Sequence, residues 1–399
     1  KANKSDYTFS LNYLKDEGFV IRSDFQRVNG RIAVNSQINS WLKAGVNVTA
    51  NFVNSNQAAG DGSNTFINPF VFARGIAPIY PVRAYTTAGA PVLDAFGTQW
   101  YDFGIHPGAI NRPTGGSPGR HILYESLLNE NVQKRNSIIA RTNLEIKLAP
   151  GLTYTPNVGI DIINQRNNTF QNKIVGDGVT SGGYASVSSN EFRTFSVNNL
   201  INYTKRFGKH EITALAGHEI QKTDDQFFSG SRRGINLDGN IQLANFVVLN
   251  GVDGSINRLR REAYLSRLNY GYSKKYYLDL SYRRDASSRF SPDSRWGDFY
   301  SVGASWILNK EKFLQNASWI DNLKLRASYG TVGNDALDTY FEYQALYSLG
   351  YNNAGEPGAI ASKLTNPKLT WEVNKTANIG LEFGFLNRIS GTLEYFDRG

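Results

Sequence analysis

Cysteine and methionine are both absent from the 399 residues. Without cysteine there is no disulfide-stapled scaffold, no thiolate metal site and no cysteine nucleophile. Charge is also scarce: Asp, Glu, Lys and Arg make up 19% of the chain, below the roughly 25% of an ordinary soluble domain. Long hydrophobic runs are missing too. The longest candidate, 246–249, is far short of the ~18 apolar residues a spanning helix needs, so a helical membrane protein is excluded. The chain opens at Lys1 with neither a signal peptide nor a methionine, and we expect that it does not begin at a gene start.

Aromatics, glycine and proline are plentiful: 23 Phe, 22 Tyr, 6 Trp, 38 Gly and 12 Pro. The net charge of +9 would suit nucleic acid only if the cations clustered. They are dispersed, the densest group being Arg258, Arg260 and Arg261. Basic residues alternating along strands describe a solvated wall, and no nucleic-acid role is expected.

The dominant pattern is a period of two. Tyr7, Phe9, Leu11 and Tyr13 alternate with Thr8, Ser10 and Asn12, which places rings on one face of a strand and polar groups on the other. Val28, Ile32, Val34 and Ile38 alternate with Asn29, Arg31, Asn35 and Gln37. After the short link 39–41, Leu42, Val46, Val48 and Phe52 alternate with Lys43, Asn47, Thr49 and Asn51. The unit recurs around Ala149-Pro150-Gly151, where proline suits the second position of a tight turn and glycine supplies the positive φ. Further copies pivot at 206–209, 273–275 and 385–388, and one longer link holds a single helical turn at 310–314.

Long connections are expected at 54–135, 164–193, 222–262, 285–298 and 331–370, alternating strictly with the short links. A soluble sandwich has strands of about five or six residues with similar loops at both ends. Strands of about ten residues or more, with short turns on one side and long loops on the other, instead describe an all-β, antiparallel transmembrane barrel of the outer-membrane kind. At least thirteen strands are countable. Trp41, Tyr270, Tyr272, Tyr276, Trp306 and Trp319 lie near the short links, where an aromatic girdle would meet the membrane–water interface. A large soluble β-sandwich is the alternative, but it would need that many long strands covered on one side only.

Catalytic and metal-binding patterns fail on inspection. Gly115-Gly116-Ser117-Pro118-Gly119 matches G-x-S-x-G formally, yet Pro118 has no N–H to give an oxyanion and no helix pattern follows, so a loop turn is expected. The glycines at 176, 178, 182 and 183 have the wrong spacing for a phosphate loop. His106, His121, His210 and His218 show no helical pairing with a carboxylate, which disfavours a zinc site. Asp224-Asp225 and the Asp61/Asn64 pair read as solvated loop carboxylates rather than cation ligands.

Specific words then accompany the periods. Asp24-Phe25, Asn29-Gly30-Arg31 and the segment Ile38-Asn39-Ser40-Trp41-Leu42-Lys43-Ala44-Gly45 are one group. Asn68-Pro69-Phe70 and Ala77-Pro78-Ile79-Tyr80-Pro81-Val82 are a second. The most diagnostic stretch runs from Arg284-Asp285-Ala286-Ser287-Ser288-Arg289-Phe290 through Arg295-Trp296-Gly297 to Ser305-Trp306. It is followed by Phe313-Leu314, Trp319-Ile320, Asn322-Leu323-Lys324-Leu325-Arg326-Ala327-Ser328-Tyr329-Gly330 and Gly333-Asn334. Leu369-Thr370-Trp371-Glu372 and Asn378-Ile379-Gly380-Leu381-Glu382-Phe383-Gly384-Phe385 complete the set. Across nearly its whole length the chain resembles the SusC/RagA family of TonB-dependent outer-membrane transporters.

That resemblance implies a barrel of about 22 strands, of which residues 1–399 would supply roughly 13–14 as part of one barrel domain, with the plug domain, the TonB box and the last strands lying outside this chain. It implies a bacterial outer membrane of the Bacteroidota type and active import of an oligomeric nutrient, a glycan or a peptide, energised through TonB. A SusD-like lipoprotein lid, a surrounding lipid bilayer and a dimer of transporter–lid pairs are the implied partners. No cofactor, metal or enzymatic activity is implied. A passive porin or structural barrel without energy coupling is the alternative, and a barrel enzyme would need a catalytic set that these residues do not assemble.

Long loops carry function on a rigid scaffold. The first long loop holds Phe66, Phe70, Phe72, Tyr80, Trp100 and Tyr101, and the last holds Tyr340, Phe341, Tyr343, Tyr347 and Tyr351. Rings with polar tips stack on sugars and dominate protein interfaces. The candidate cargo or lid contacts are therefore Trp100, Tyr101, Phe70, Tyr340, Tyr343 and Tyr347, with Trp100 and Tyr101 foremost. Asp285, Arg289 and Arg295 are expected to form a salt-bridge network bracing the rim, with cargo contact as the sharper alternative.

Overall fold

The computed structural model describes residues 5–57 and 68–399. Thirteen antiparallel strands form one sheet in which almost every strand pairs with its sequence neighbour. They are β1 (Ser5–Glu17), β2 (Asp24–Gln37), β3 (Leu42–Asn56), β4 (Glu130–Ala149), β5 (Leu152–Gln171), β6 (Tyr184–Phe207), β7 (His210–Ile235), β8 (Phe246–Tyr272), β9 (Tyr276–Ser287), β10 (Trp296–Ile307) and β11 (Ile320–Asn334), then β14 (Glu372–Phe385) and β15 (Ile389–Arg398). A separate hairpin of β12 (Leu346–Asn353) and β13 (Glu356–Lys363) stands in the link between β11 and β14. The sheet is open, since β1 and β15 do not pair with each other.

Register converts the period of two into two chemically distinct walls. Phe9, Ile32, Val48, Ala140, Ile160 and Phe195 face one another in sequence across β1 to β6. Leu268, Leu280, Val302, Tyr329 and Ala377 do the same across β8 to β14. These rungs form one apolar wall, and its residues are open rather than cored: Phe9 is 72% and Ile32 54% exposed. Three residues along, Asn29, Asn51 and Ser137 pair on the opposite wall, where the Asn51 amide donates to Ser137 Oγ at 3.2 Å. A one-residue slip would exchange the walls on that strand, so the burial demand of one face fixes the register.

The short links fall at one end, at 38–41, 150–151, 208–209, 273–275, 308–319 and 386–388. Gly151 has φ 78°, and a Cβ there would lie 2.2 Å from the Thr204 carbonyl oxygen. Ser273 and Lys274, and likewise Leu386 and Asn387, all take positive φ, the turn geometry whose twist matches the flanking strands. The 308–319 link contains two 3-10 turns, Leu308–Lys310 and Lys312–Leu314, where a single turn was expected.

Two of the expected long loops are mostly strand. β5 runs on to Gln171 and β6 starts at Tyr184, while β7 and β8 extend to Ile235 and from Phe246, leaving links of only 172–183 and 236–245. Beyond the apolar zone both faces of a strand are polar, as in Asn164-Gln165-Arg166-Asn167-Asn168, so alternation vanishes although the backbone ladder continues. Asp224-Asp225 accordingly sits in β7 rather than in a loop. Two short helices were also unanticipated: α1 (Pro69–Gly75) and α2 (Ile122–Leu128). Asn68 caps α1 by accepting from the Phe70 and Val71 amides, with proline in the first turn. Phe66, Asp61 and Asn64 lie outside the described residues.

The wall assignment predicts opposite tolerance at adjacent positions. Val46→Arg should cost about 2–4 kcal/mol near a bilayer midplane, while Asn47→Arg on the polar wall should be mild. Denaturant titration of the protein in lipid or detergent measures both, and equal costs would show the register to be wrong.

Candidate functional site at the long-loop rim

The polar wall is lined by paired charges. Arg141 donates to Asp161 at 2.7 Å, Arg326 approaches Glu382 and Glu394 at 3.3 and 3.2 Å, and Lys43 approaches Glu145 at 3.1 Å. Toward the long-loop end Arg283 donates to Glu219 at 2.8 Å and to Asp285 at 2.8 and 2.9 Å. A shallow cavity of about 260 Å³ opens there, with Glu219, Arg261, Arg283, Asp285 and Trp371 among its lining residues.

Above this wall the links knit into two clusters. In the first, Arg112 is buried and holds the loop from inside: its guanidinium lies 3.6 Å from Asp102 and donates to the Gly116 and Arg120 carbonyls at 3.0 Å each. Ser117 follows in a left-handed turn, so the G-x-S-x-G match is a loop corner held by that arginine. His121 caps α2, its Nδ1 accepting from the Tyr124 amide at 3.1 Å while Nε2 bonds the Val82 carbonyl at 3.1 Å. Glu125, fully buried, accepts from the His121 amide and pairs with Arg120 at 3.0 Å. Arg120 also reaches Asp177 in the 172–183 link. The backbone of that link passes so close that a Cβ on Gly176 would meet the Glu125 carboxylate at 2.2 Å. Burial pushes the Glu125 carboxyl up from its ordinary value, and burial followed by the nearby Arg112 charge pushes His121 down.

In the second cluster Asp335 is the hub. Arg261 donates to its carboxylate at 2.7 and 3.0 Å, and the fully buried Ser287 hydroxyl at 2.8 Å. Burial alone would raise the Asp335 carboxyl, but the Arg261 and Ser287 hydrogen bonds outweigh it and hold the group below its ordinary value. Ser291 and Ser294 both donate to the Pro367 carbonyl, at 2.7 and 2.9 Å. The Trp371 indole donates to the Arg295 carbonyl at 2.8 Å and packs against buried Phe290, ring centroids 5.4 Å apart.

The expected rim residues are therefore neighbours but not partners of one another. Asp285 pairs with Arg283, Arg289 donates to the Asp335 and Leu337 carbonyls at 2.7 and 3.2 Å, and Arg295 contributes its carbonyl. Asp335 was missed by sequence reasoning. Its only signal was Asn334-Asp335 closing a strand, which does not reveal that β8 brings Arg261 alongside.

Of the expected aromatic contacts, Trp100 and Tyr101 are half-buried inside the first cluster. Trp100 lies 4.7 Å from His106, and Tyr101 stacks on Tyr124 at 4.7 Å beneath the Arg83 guanidinium. Phe70 is 59% exposed and meets Phe19 of the 18–23 link edge-on at 6.0 Å. Tyr340 lies under the Arg289 guanidinium at 5.0 Å, the Tyr343 carbonyl accepts from Thr365 and Asn366, and Tyr347 stands 63% exposed on β12.

Residues 84–398 match the family profile described as TonB dependent receptor-like, beta-barrel. A TonB-dependent receptor of Formosa agariphila is 28% identical over 395 residues, covering 97% of this chain and 35% of the relative. The TonB-dependent receptor SusC of Bacteroides thetaiotaomicron is 26% identical over 407 residues, covering 98% and 39%. The chain thus spans between a third and two fifths of the length of these curated relatives. Among solved structures, the RagAB peptide transporter superposes with a TM-score of 0.77 at 25% identity, covering 100% of this chain and 43% of that one.

Two tests address the clusters. Because burial depresses the folded-state value of His121, its cap is fully present above the ordinary imidazole value of about 6.5 and is lost as pH falls below that through the depressed folded-state value. Protease cleavage within 172–183 should then accelerate only as pH is lowered below about 6.5, and a His121→Asn variant, which caps without titrating, should flatten that dependence. Asp335→Asn should weaken the second cluster by about 1–2 kcal/mol, read as faster amide exchange across 335–345, with 172–183 unaffected.

Proposed function

The chain belongs to the TonB dependent receptor-like β-barrel family, and from that premise we propose that it is barrel wall from an outer-membrane transporter that actively imports an oligomeric nutrient, a peptide or a glycan. Superposition over the entire chain on a peptide transporter carries this reading. The chemistry of the two walls supports it. The apolar wall suits acyl chains, and a wall of paired charges suits a hydrated passage, because both signs are present without a fixed field that would repel one class of oligomer.

The work is binding, not bond-making. Cargo is held between the rim clusters and a SusD-like lipoprotein lid, and energy delivered through TonB opens the passage. Exposed rings at the rim, Phe70 and Tyr347, make first contact. Tyr340 and Tyr343 back the second cluster, and Trp100 and Tyr101 present their edges from within the first. Asp285, Arg289 and Arg295 brace the rim on which these rings stand. A dimer of transporter–lid pairs is part of the same proposal.

Uptake of labelled oligopeptides and oligosaccharides by cells carrying the full-length transporter tests it. A protonophore should abolish accumulation of one class, whereas accumulation that merely follows the concentration gradient would favour a passive pore. Phe70→Ala combined with Tyr347→Ala should lower uptake about thirtyfold at unchanged abundance in the membrane, as expected for two lost ring contacts of about 1 kcal/mol each. Unchanged kinetics and unchanged lid association would remove these rings from the contact surface.

A further inference from the structure

The outer wall is not uniform at its long-loop end. His218, Tyr264, Arg284 and Asp298 face one another across β7 to β10, and on the next rung Ile220, Glu262, Ala286 and Trp296 do so. Both rungs share the parity of Leu268, Leu280 and Val302, so they face away from the polar passage.

Their height follows from β10 alone. Trp296 and Trp306 are ten residues apart, about 33 Å along a strand, or about 25 Å at barrel tilt, which is the thickness of the apolar band between two interfaces. Trp306, stacked on Tyr276 at 6.1 Å, marks the short-link interface. Trp296 therefore stands at the interface of the opposite, outer leaflet.

The chemistry at that interface exceeds that of a girdle. Tyr264 stacks on His218 at 4.8 Å and on Trp296 at 6.0 Å, and the Arg284 guanidinium lies 5.2 Å over the Trp296 ring. Glu262 bonds both His218 Nε2, at 2.8 Å, and the Tyr264 hydroxyl, at 2.9 Å. On the rungs above, Lys222, Arg260 and Arg258 face outward. Arg260 pairs with Asp224 at 2.6 Å, whereas exposed Lys222 and Arg258 have no carboxylate within 4.0 Å among the described residues.

Flat rings stack on the C–H faces of sugars, a carboxylate accepts from hydroxyls, and unpaired cations bind phosphate. A phospholipid headgroup offers phosphate but no ring face. We propose that this platform on the outer wall binds the phosphorylated glucosamine headgroup of an outer-leaflet glycolipid, lipid A, with the sugar against Tyr264 and Trp296 and a phosphate on Lys222 and Arg258. The proposal rests on the outer-membrane reading above and adds a lipid ligand to the face opposite the cargo passage.

The full-length transporter, extracted in mild detergent and exchanged into equal amounts of lipid A and phosphatidylethanolamine, would be examined by native mass spectrometry. The wild type should retain lipid A selectively. Lys222→Ala with Arg258→Ala, and separately Tyr264→Ala, should each lower the lipid A to phosphatidylethanolamine ratio about tenfold, the loss expected for a charge-assisted hydrogen bond or a well-packed ring. Enzymatically dephosphorylated lipid A should lose its advantage on the wild type. Equal retention of both lipids by the wild type, or undiminished lipid A on both variants, overturns the proposal. Membrane fractionation separates the two ideas: protein missing from the outer-membrane fraction defeats the reading and the proposal together, while an embedded transporter without lipid A selectivity defeats the proposal alone.

Discussion

Everything in this molecule depends on the pairing of backbone amides across a sheet whose outer face has no water to turn to. In hydrocarbon an unpaired amide or carbonyl costs several kcal/mol, so strands must run in unbroken register and cannot loosen in the middle. Antiparallel neighbours joined by short turns achieve this with local connections. Side chains are then free to differ completely from one wall to the other, and the fold needs almost no conventional core. Its few fully buried side chains, among them Phe246, Phe290, Glu125, Val175 and Ser287, lie at the long-loop end rather than in the middle of the sheet.

That concentration explains how the rim can be ordered although its loops are long. Each cluster has a buried charged group at its centre, Arg112 in the first and Asp335 in the second, and an arginine that ties loop backbone: Arg112 to the Gly116 and Arg120 carbonyls, half-buried Arg289 to the Asp335 and Leu337 carbonyls. A buried charge without partners is expensive, so every loop segment that supplies a partner is fixed in place by the same demand. In the proposed importer, the rings that stand out from this frame, such as Phe70 and Tyr347, would have a rigid base that lowers the ordering cost of binding. On the outer side, the stacked rings and charges around Trp296 continue the same strands, so one set of ladders presents three chemistries: an apolar wall, a wall of paired charges and a polar shoulder.

The alternation of Val46 and Asn47, and of Phe9 and Ser10, determined the two walls by itself, because a period of two admits one assignment per strand once one face must be apolar. Turn chemistry at Pro150-Gly151 and the asymmetry of link lengths then determined the antiparallel order and the end at which the loops gather. What the sequence could not yield was where strands stop in water, since Asn164–Asn168 pair through their backbones whatever their side chains are. Nor could it disclose the clusters. Arg261 and Asp335 are 74 positions apart, and Arg120 and Asp177 are 57 apart. Only the tertiary structure decided those pairs, because a charge buried at the rim takes whichever partner the register of intervening strands carries to it, and that register is the sum of many pairings rather than a property of either residue.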